Sequence, residues 1–514
     1  MSQGLLPYTV EAVPGEDGLT SRTGLPLVLE TMRALRLDRA IAQHVHVRER
    51  QSGYSEAEKI EALVLLLAAG GDCLDDIAVL QADGGLRRLV GRKFPSADTL
   101  RHFLYACHDD ALIAQAQAAR PAGQVAYIPA ENATLQGLAR VNTALVHQVA
   151  AQGKGTTATL DHDATLQESH KREALPHYQG GRGYQPTAVY WVEQDLVVAD
   201  EYRDGNVGAG MATLPLIRRA FASLPPTVTT FYFRADTACY NEPTLKWLAD
   251  PGRPGGPRGP IGFTIGADMT QDLHAVCAAV AEASWQLFED RPDEAVHSTE
   301  VEFTPGDWHK GAWPLRYLAL RIRKKQGQLF ASGADTKYLA LVSNRWELTP
   351  AALLRWHWQK AGTIELVHDI TKNELGAAVP PCGRFGANAA WYRLSLLTYN
   401  VLSALKSLAL PPHLSTARPK RLRFTVFTLA GRLVSHAGRL RVRISAEAER
   451  LAGLIAARVR LAGRILSHSS PPPARPALRP SSVRPRSVQG PSAGRWRARI
   501  PSSRASCRPV WCPR

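Results

Sequence analysis

Hydrophobic spacing divides the chain into segments of different period. From residue 23 to about 110 the apolar positions recur at helical intervals. Ser55-Glu56-Ala57-Glu58 has the form of a capping box, with Glu58 three residues after Ser55. Ile60, Leu63, Val64 and Leu67 follow on one helical face, and Gly70-Gly71 marks the stop. Further helices are predicted over 74–81 and 97–106. Short helices joined by glycine turns suit a module that holds DNA ends, and equally a plain packing or dimerisation domain. The period then changes. Residues 157–166 alternate, and 187–192 and 196–200 are β-rich runs separated by Glu193-Gln194-Asp195. Residues 211–224 return to helical spacing, and 228–236 are again a strand.

The order strand, strand, strand, helix, strand predicts an antiparallel meander. A crossover then sets the fourth strand beside the first. That is the opening of a ribonuclease-H-like fold. The fold class expected is therefore α/β: a ribonuclease-H-like catalytic core with a β-rich insertion, preceded by a helical N-terminal domain. A Pro/Gly-rich loop at 251–260 opens the insertion, and 317–323 and 338–343 read as strands within it. Residues 350–408 return to helix. The expected division is a helical DNA-binding domain (1–125), a first part of the core (126–245), the insertion (246–349) and a second part of the core (350–410). A C-terminal helical region (411–468) and a disordered Arg/Pro/Ser tail (469–514) complete it.

Composition narrows the function classes. At 514 residues and 45% hydrophobic, the chain can bury a sizeable core. No run reaches the length a membrane helix needs, and the first residues lack the order of a secretory signal. A cytoplasmic, nucleoid-associated protein is expected. The seven cysteines lack the spacing of a zinc site and read as reduced thiols. The net charge of +16 suggests a polyanionic partner. Ten arginines of that excess lie in 469–514, so the rest is only modestly basic.

The candidate chemistry is acidic. In Thr159-Leu160-Asp161-His162-Asp163-Ala164-Thr165, a strand puts Asp161 and Asp163 on one face and His162 on the other. Two carboxylates together are costly unless a cation neutralises them. Asp236 ends the fourth strand and would lie beside them. Such oxygen ligands suit Mg²⁺ or Mn²⁺. A third acid is expected from 363–372, where Glu365, His368 and Lys372 share a helix face. Glu365 can close the metal site and Lys372 can meet a phosphate. A lone strand-end aspartate is more often a turn residue; the argument rests on the joint order of the acids.

That order carries a specific resemblance. Leu160-Asp161-His162-Asp163-Ala164-Thr165 is followed by Ser169-His170-Lys171-Arg172-Glu173-Ala174, Gly183-Tyr184-Gln185-Pro186 and Asp204-Gly205-Asn206-Val207. Then come Arg234-Ala235-Asp236-Thr237-Ala238, Gly362-Thr363-Ile364-Glu365, Lys372-Asn373-Glu374-Leu375 and Phe385-Gly386-Ala387-Asn388-Ala389-Ala390. Over roughly 20–465 the chain resembles bacterial insertion-sequence transposases of the DDE superfamily, and is most similar to the insertion-sequence 1380 family. The resemblance implies that Asp163, Asp236 and Glu365 are the catalytic, metal-binding set. Asp161 is then the supporting acid or the rival for the first position. It implies cleavage at the element's terminal inverted repeats, joining to target DNA, and a homodimer in the DNA complex. Lys171, Arg172, Arg182 and Lys372 are candidate phosphate contacts. Related enzymes carry a Tyr-x2-Arg-x3-Glu-x6-Lys signature. Here Trp358 and Ala361 hold the Tyr and Arg positions, and Lys360 is the nearest available cation. Trp308 or Trp346 could stack on a flipped base or serve as insertion core. Two rival readings are an inactive or domesticated DNA-binding derivative and a ribonuclease-H-like nuclease that only hydrolyses.

Overall fold

The computed structural model describes residues 18–47, 53–153, 155–306, 308 and 315–467. The tail at 469–514 lies outside them. A short strand, β1 (Leu19–Thr20), precedes the helices α1 (Leu27–Ala34), α2 (Leu37–His44), α3 (Glu56–Ala69), α4 (Ile77–Ala82), α5 (Gly84–Val90), α6 (Ala97–Tyr105), α7 (Asp110–Ala119) and α8 (Ala133–Ala150). The capping box that opens α3 forms as expected: Ser55 accepts from the Glu58 amide, and Glu58 accepts from the Ser55 amide. Gly70 ends α3 at φ 100°, a left-handed conformation that favours glycine.

The strands β2 (Thr157–Ala164), β3 (Gln167–Glu168), β4 (Leu175–Pro176), β5 (Arg182–Tyr184), β6 (Thr187–Trp191) and β7 (Leu196–Glu201) come next. They are followed by α9 (Thr213–Ala222), β8 (Thr230–Ala235), α10 (Glu242–Ala249), β9 (Ile261–Ala267) and α11 (Gln271–Ala278). Among the described residues, nine strands form one large mixed sheet. The strands β2, β6 and β7 make the antiparallel meander, and β8 lies parallel to β2, as the crossover argument required. The strand β9, not singled out by the sequence pattern, lies parallel to β8. Its two glycines weaken the β signal, and Gly262 is needed because a Cβ there would press on the Tyr232 ring.

The strands β10 (Gln286–Asp290), β11 (Glu294–Val301), β12 (Arg316–Lys324) and β13 (Thr336–Ser343) are all antiparallel neighbours. Because β13 pairs with β9, the region read as an insertion continues the large sheet.

Helices close the other end. After α12 (Pro350–Trp358), a 3-10 turn over Gln359–Gly362 leads into α13 (Ile364–Glu374) and α14 (Phe385–Leu408). The last of these is buried on nearly every side. It packs on α8, α3, α6, α1 and β7. Asn400 in its middle satisfies the main chain of β7, an outermost strand of the sheet: its amide accepts from Val197 N at 2.8 Å and donates to Val197 O at 2.7 Å. Residues 411–468, read as helical, hold the short α15 (Pro419–Leu422) and the long α16 (Ala448–Ser467). They also hold a β-hairpin of β14 (Gly431–His436) and β15 (Arg439–Ile444), which pairs with β1. The alternation of Arg439-Leu440-Arg441-Val442-Arg443-Ile444 has the two-residue period of a strand.

The hairpin turns through Ala437 (φ 49°) and Gly438 (φ 72°), two left-handed residues in succession. This is the backbone of a tight primed turn, in which Asn or Gly is preferred at the first position. Ala437→Asn is expected to stabilise the hairpin by about 0.5–1 kcal/mol, read as a higher denaturation midpoint, with Ala437→Val moving it the other way.

Candidate active site

Two pairs of residues, each spaced by two, create the site. Asp161 on β2 lies in register with Arg234 on the parallel strand β8. Asp163 follows Asp161 by two residues, and Asp236 follows Arg234 by two. Alternation on a strand carries both aspartates forward along the same faces to the ends of adjacent strands. Asp236 lies just past β8, where its Oδ1 accepts from the Ala238 amide at 3.1 Å and caps a short 3-10 turn.

Asp161 and Arg234 are spent on each other. The guanidinium donates Nε to Oδ1 at 2.7 Å and Nη2 to Oδ2 at 2.8 Å, with both side chains essentially inaccessible to solvent. The remaining Arg234 nitrogen donates to the Trp356 carbonyl at 2.5 Å and to Gln359 Oε1 at 3.4 Å. Thr363, at the head of α13, donates its hydroxyl to Asp161 Oδ2. The acid read as a supporting or rival ligand is therefore half of a bidentate latch between two strands and the start of α13. The sequence placed β8 beside β2 but not their register, and it is the register that sets Arg234 opposite Asp161.

Asp163 and Asp236 are differently placed. Burial pushes both carboxyls above the ordinary 3.8, and each aspartate's negative charge disfavours ionisation nearby: Asp163 raises Asp236, and Asp161 raises Asp163. The opposing influence is Lys360, whose ammonium lies 3.6 Å from Asp163 Oδ1 and favours the charged form of both. Asp268, at the end of β9, is also raised, first by burial and then by the charge of Asp236. It is a further acid near the pair that the sequence reading did not name.

The helix α13 packs on β2. His368 is buried beside the Asp163 main chain, and burial pushes it down to about 3, so it is neutral. Glu365 lies one turn earlier on the same face, exposed, with no hydrogen bond or ion pair among the described residues. Its carboxylate is not drawn tight against the aspartates. The described His, Cys, Asp and Glu side chains form one group of three with ligand atoms all within 4.8 Å, Asp72, Cys73 and Asp76. There, Asp76 accepts from the Asp72 and Cys73 amides in a local turn.

The four basic candidates divide in two. Lys372 donates to the Leu166 carbonyl at 2.7 Å, Lys171 to the Pro380 carbonyl at 2.8 Å, and Arg182 to the Ala174 and Arg172 carbonyls at 2.7 Å each. Arg172 projects outward, and among the described residues its ion-pair partner is Glu173 at 3.7 Å. His162 packs inward as expected, bonded to Thr187 Oγ1 at 2.8 Å and to Cys239 Sγ at 3.3 Å. Trp308 packs on Tyr240, whereas Trp346 is exposed over Arg316.

The family profile described as Transposase DDE domain group 1 matches residues 9–462. The chain belongs to this family. The transposase is thus a metal-dependent enzyme acting on DNA. Among solved structures it is similar to a piggyBac transposase synaptic complex with hairpin DNA, studied by cryo-EM, at 11% identity and a TM-score of 0.42. That match covers 88% of this chain and 84% of the other. No curated protein matches it. No helix among the described residues is long and apolar enough to cross a membrane.

Two outcomes follow from the geometry of the transposase. Arg234→Met is expected to destabilise the fold by roughly 3–5 kcal/mol, because it strands a buried carboxylate. Adding Asp161→Leu should recover part of that loss in a denaturant titration. For Asp163 and Asp236 the sign runs the other way. A carboxyl raised in the folded state binds its proton more tightly folded than unfolded, so it destabilises the fold at neutral pH. The penalty is relieved as pH falls through the folded value toward 3.8. In chelator, the Asp163→Asn/Asp236→Asn variant should melt above the parent at pH 7, and the gap should close toward pH 4. A gap that widens on acidification would contradict the assignment.

Proposed function

We propose that the transposase cuts the ends of an insertion element and joins them to target DNA, with Asp163, Asp236 and Glu365 as its catalytic carboxylates. The observation that carries this reading is the convergence of Asp163 and Asp236, two desolvated acids at the ends of neighbouring parallel strands, with the charge of one lysine, Lys360, acting on both. Nothing in the packing of a sheet requires that arrangement, and its cost marks a functional site.

The donor set fits a hard divalent cation, Mg²⁺ or Mn²⁺, since it consists of carboxylate oxygens. Asp163 and Asp236 would hold it, with Glu365 completing the set from α13. Bound there, the metal supplies Lewis acidity toward a phosphodiester and lowers the pKa of an attacking hydroxyl. The exposure of Glu365, and its position one turn from His368 beside Asp163, leave its side chain free to turn toward the pair. The Asp161–Arg234 latch and Thr363 orient the start of α13, and so the direction from which Glu365 approaches. Lys360 holds a positive charge beside the aspartates, where a scissile phosphate would lie. Lys360 is thus suited to the role the family signature gives to arginine at the position of Ala361. Arg172 is the candidate phosphate contact whose guanidinium remains outward.

The strands β2, β6, β7, β8 and β9 are read as a ribonuclease-H-like core, and α1–α7 as the part that holds DNA ends. The ordered motifs place the chain nearest the insertion-sequence 1380 group. Its DNA partners would be terminal inverted repeats and target duplex, engaged by a homodimer at the nucleoid.

The assay is strand transfer with purified protein, Mg²⁺, labelled terminal-repeat DNA and a target plasmid. Asp163→Asn, Asp236→Asn and Glu365→Gln should each lose at least a hundredfold in cleavage while still retarding the repeat DNA, about the scale of removing one charge-stabilising group. Joined product from any of these variants at the parental rate would refute the trio. Cleavage by the parent without joining would favour a nuclease that only hydrolyses.

A further inference from the structure

One strongly charged face lies outside the acid site. Between Glu374 and Glu447 the sequence contains no Asp or Glu and eleven Lys and Arg. Within that stretch, Arg439, Arg441 and Arg443 alternate along β15 and are all exposed. Alternation puts them on one face, with neighbours about 6.8 Å apart. Cross-strand register sets His436 opposite Arg439, Val434 opposite Arg441 and Arg432 opposite Arg443, so that face carries no acid. Among the described residues no carboxylate pairs with Arg439, Arg441 or Arg443. Like charges crowded on one sheet face are unfavourable unless something neutralises them.

The other face anchors the hairpin. Leu433 is buried, and its amide donates to the Gly18 carbonyl at 2.6 Å. Arg88 on α5 donates to Ser435 Oγ at 3.1 Å. The arginines thus stand on a fixed platform, in a sheet that shares no strand with the one carrying the aspartates.

We propose that the outer face of the β14–β15 hairpin is a second DNA-binding surface, gripping the sugar–phosphate backbone of duplex DNA without reading sequence. The charge decides the class of partner, a polyanion. The spacing along β15 is comparable to that of neighbouring phosphates on one DNA strand, so three successive phosphates can each meet a guanidinium. Arginine can also read guanine edges, but three guanidinium groups repeated along one strand at the phosphate interval are placed to follow the backbone, and backbone contacts carry no sequence information. The proposal rests on the transposase reading for its choice of DNA. It adds that the protein holds a stretch of duplex apart from the one at the acids.

The test uses the full chain and fluorescence anisotropy on labelled duplexes of two unrelated sequences, in chelator, across a series of salt concentrations. The triple variant Arg439→Ser/Arg441→Ser/Arg443→Ser should bind both duplexes about tenfold or more weakly. Its log–log salt slope should be shallower by about 2.7, or about 0.9 for each phosphate that no longer meets a guanidinium. Arg→Lys at the same three positions should keep most of the slope. The single Arg441→Glu, at an exposed and unpaired position, should shift affinity in the same direction without depending on the triple variant. Parental affinity and slope in the triple and in Arg441→Glu would overturn the proposal, as would a loss confined to one duplex sequence. If the parent itself fails to bind duplex DNA, the transposase reading fails as well; if the parent binds and the variants match it, the hairpin proposal alone fails.

Discussion

The buried pair of Asp161 and Arg234 sets the geometry of everything around it. Removing two charges from water is expensive, and such a pair is tolerated only with good geometry and its remaining donors satisfied. Both conditions hold: the contact is bidentate, and the other guanidinium nitrogen finds Trp356 and Gln359. A one-residue slip between β2 and β8 would break it. The same slip would move Asp163 and Asp236 out of step, because each lies two residues beyond a partner of the pair. Register between these two interior strands and proximity of the two acids are thus one constraint. Thr363 extends that constraint to α13 by donating to the same carboxylate.

Stability and chemistry pull apart at the ends of those strands. A latch in which each guanidinium nitrogen has a partner is followed two residues later by acids that are desolvated and short of positive charge. Lys360 alone tempers them among the groups that act on both. The frame around those strands is tied together by buried polar contacts. Arg393 of α14 joins Asp200 of β7 to Glu131 ahead of α8, and Asn400 supplies hydrogen bonds that a further strand would otherwise give β7.

Much of this was legible in the sequence because it follows from period and connection rules. The meander, the crossover and the acids at strand ends needed only alternation and handedness. The role of Asp161 was less accessible: its partner lies 73 residues away, and an aspartate in such a motif looks the same whether it binds metal or arginine. Three of the four proposed phosphate contacts turned out to donate to carbonyls of their own chain, a distinction that charge in a sequence does not carry. The strand β9 was hidden by its glycines, and the β14–β15 hairpin by lying among helices.

The way α14 packs has a consequence for damaged copies of the gene. The helices from α1 to α7 read, in sequence, as a domain of their own. Their apolar surfaces are instead covered by a helix that begins at Phe385, and by α16, which packs on α1. A message broken in its middle would make the front of the protein without its lid. Such a product would have exposed core and be a substrate for proteolysis, not a stable fragment able to compete for DNA ends. Interrupted copies would then fall silent without poisoning the intact enzyme.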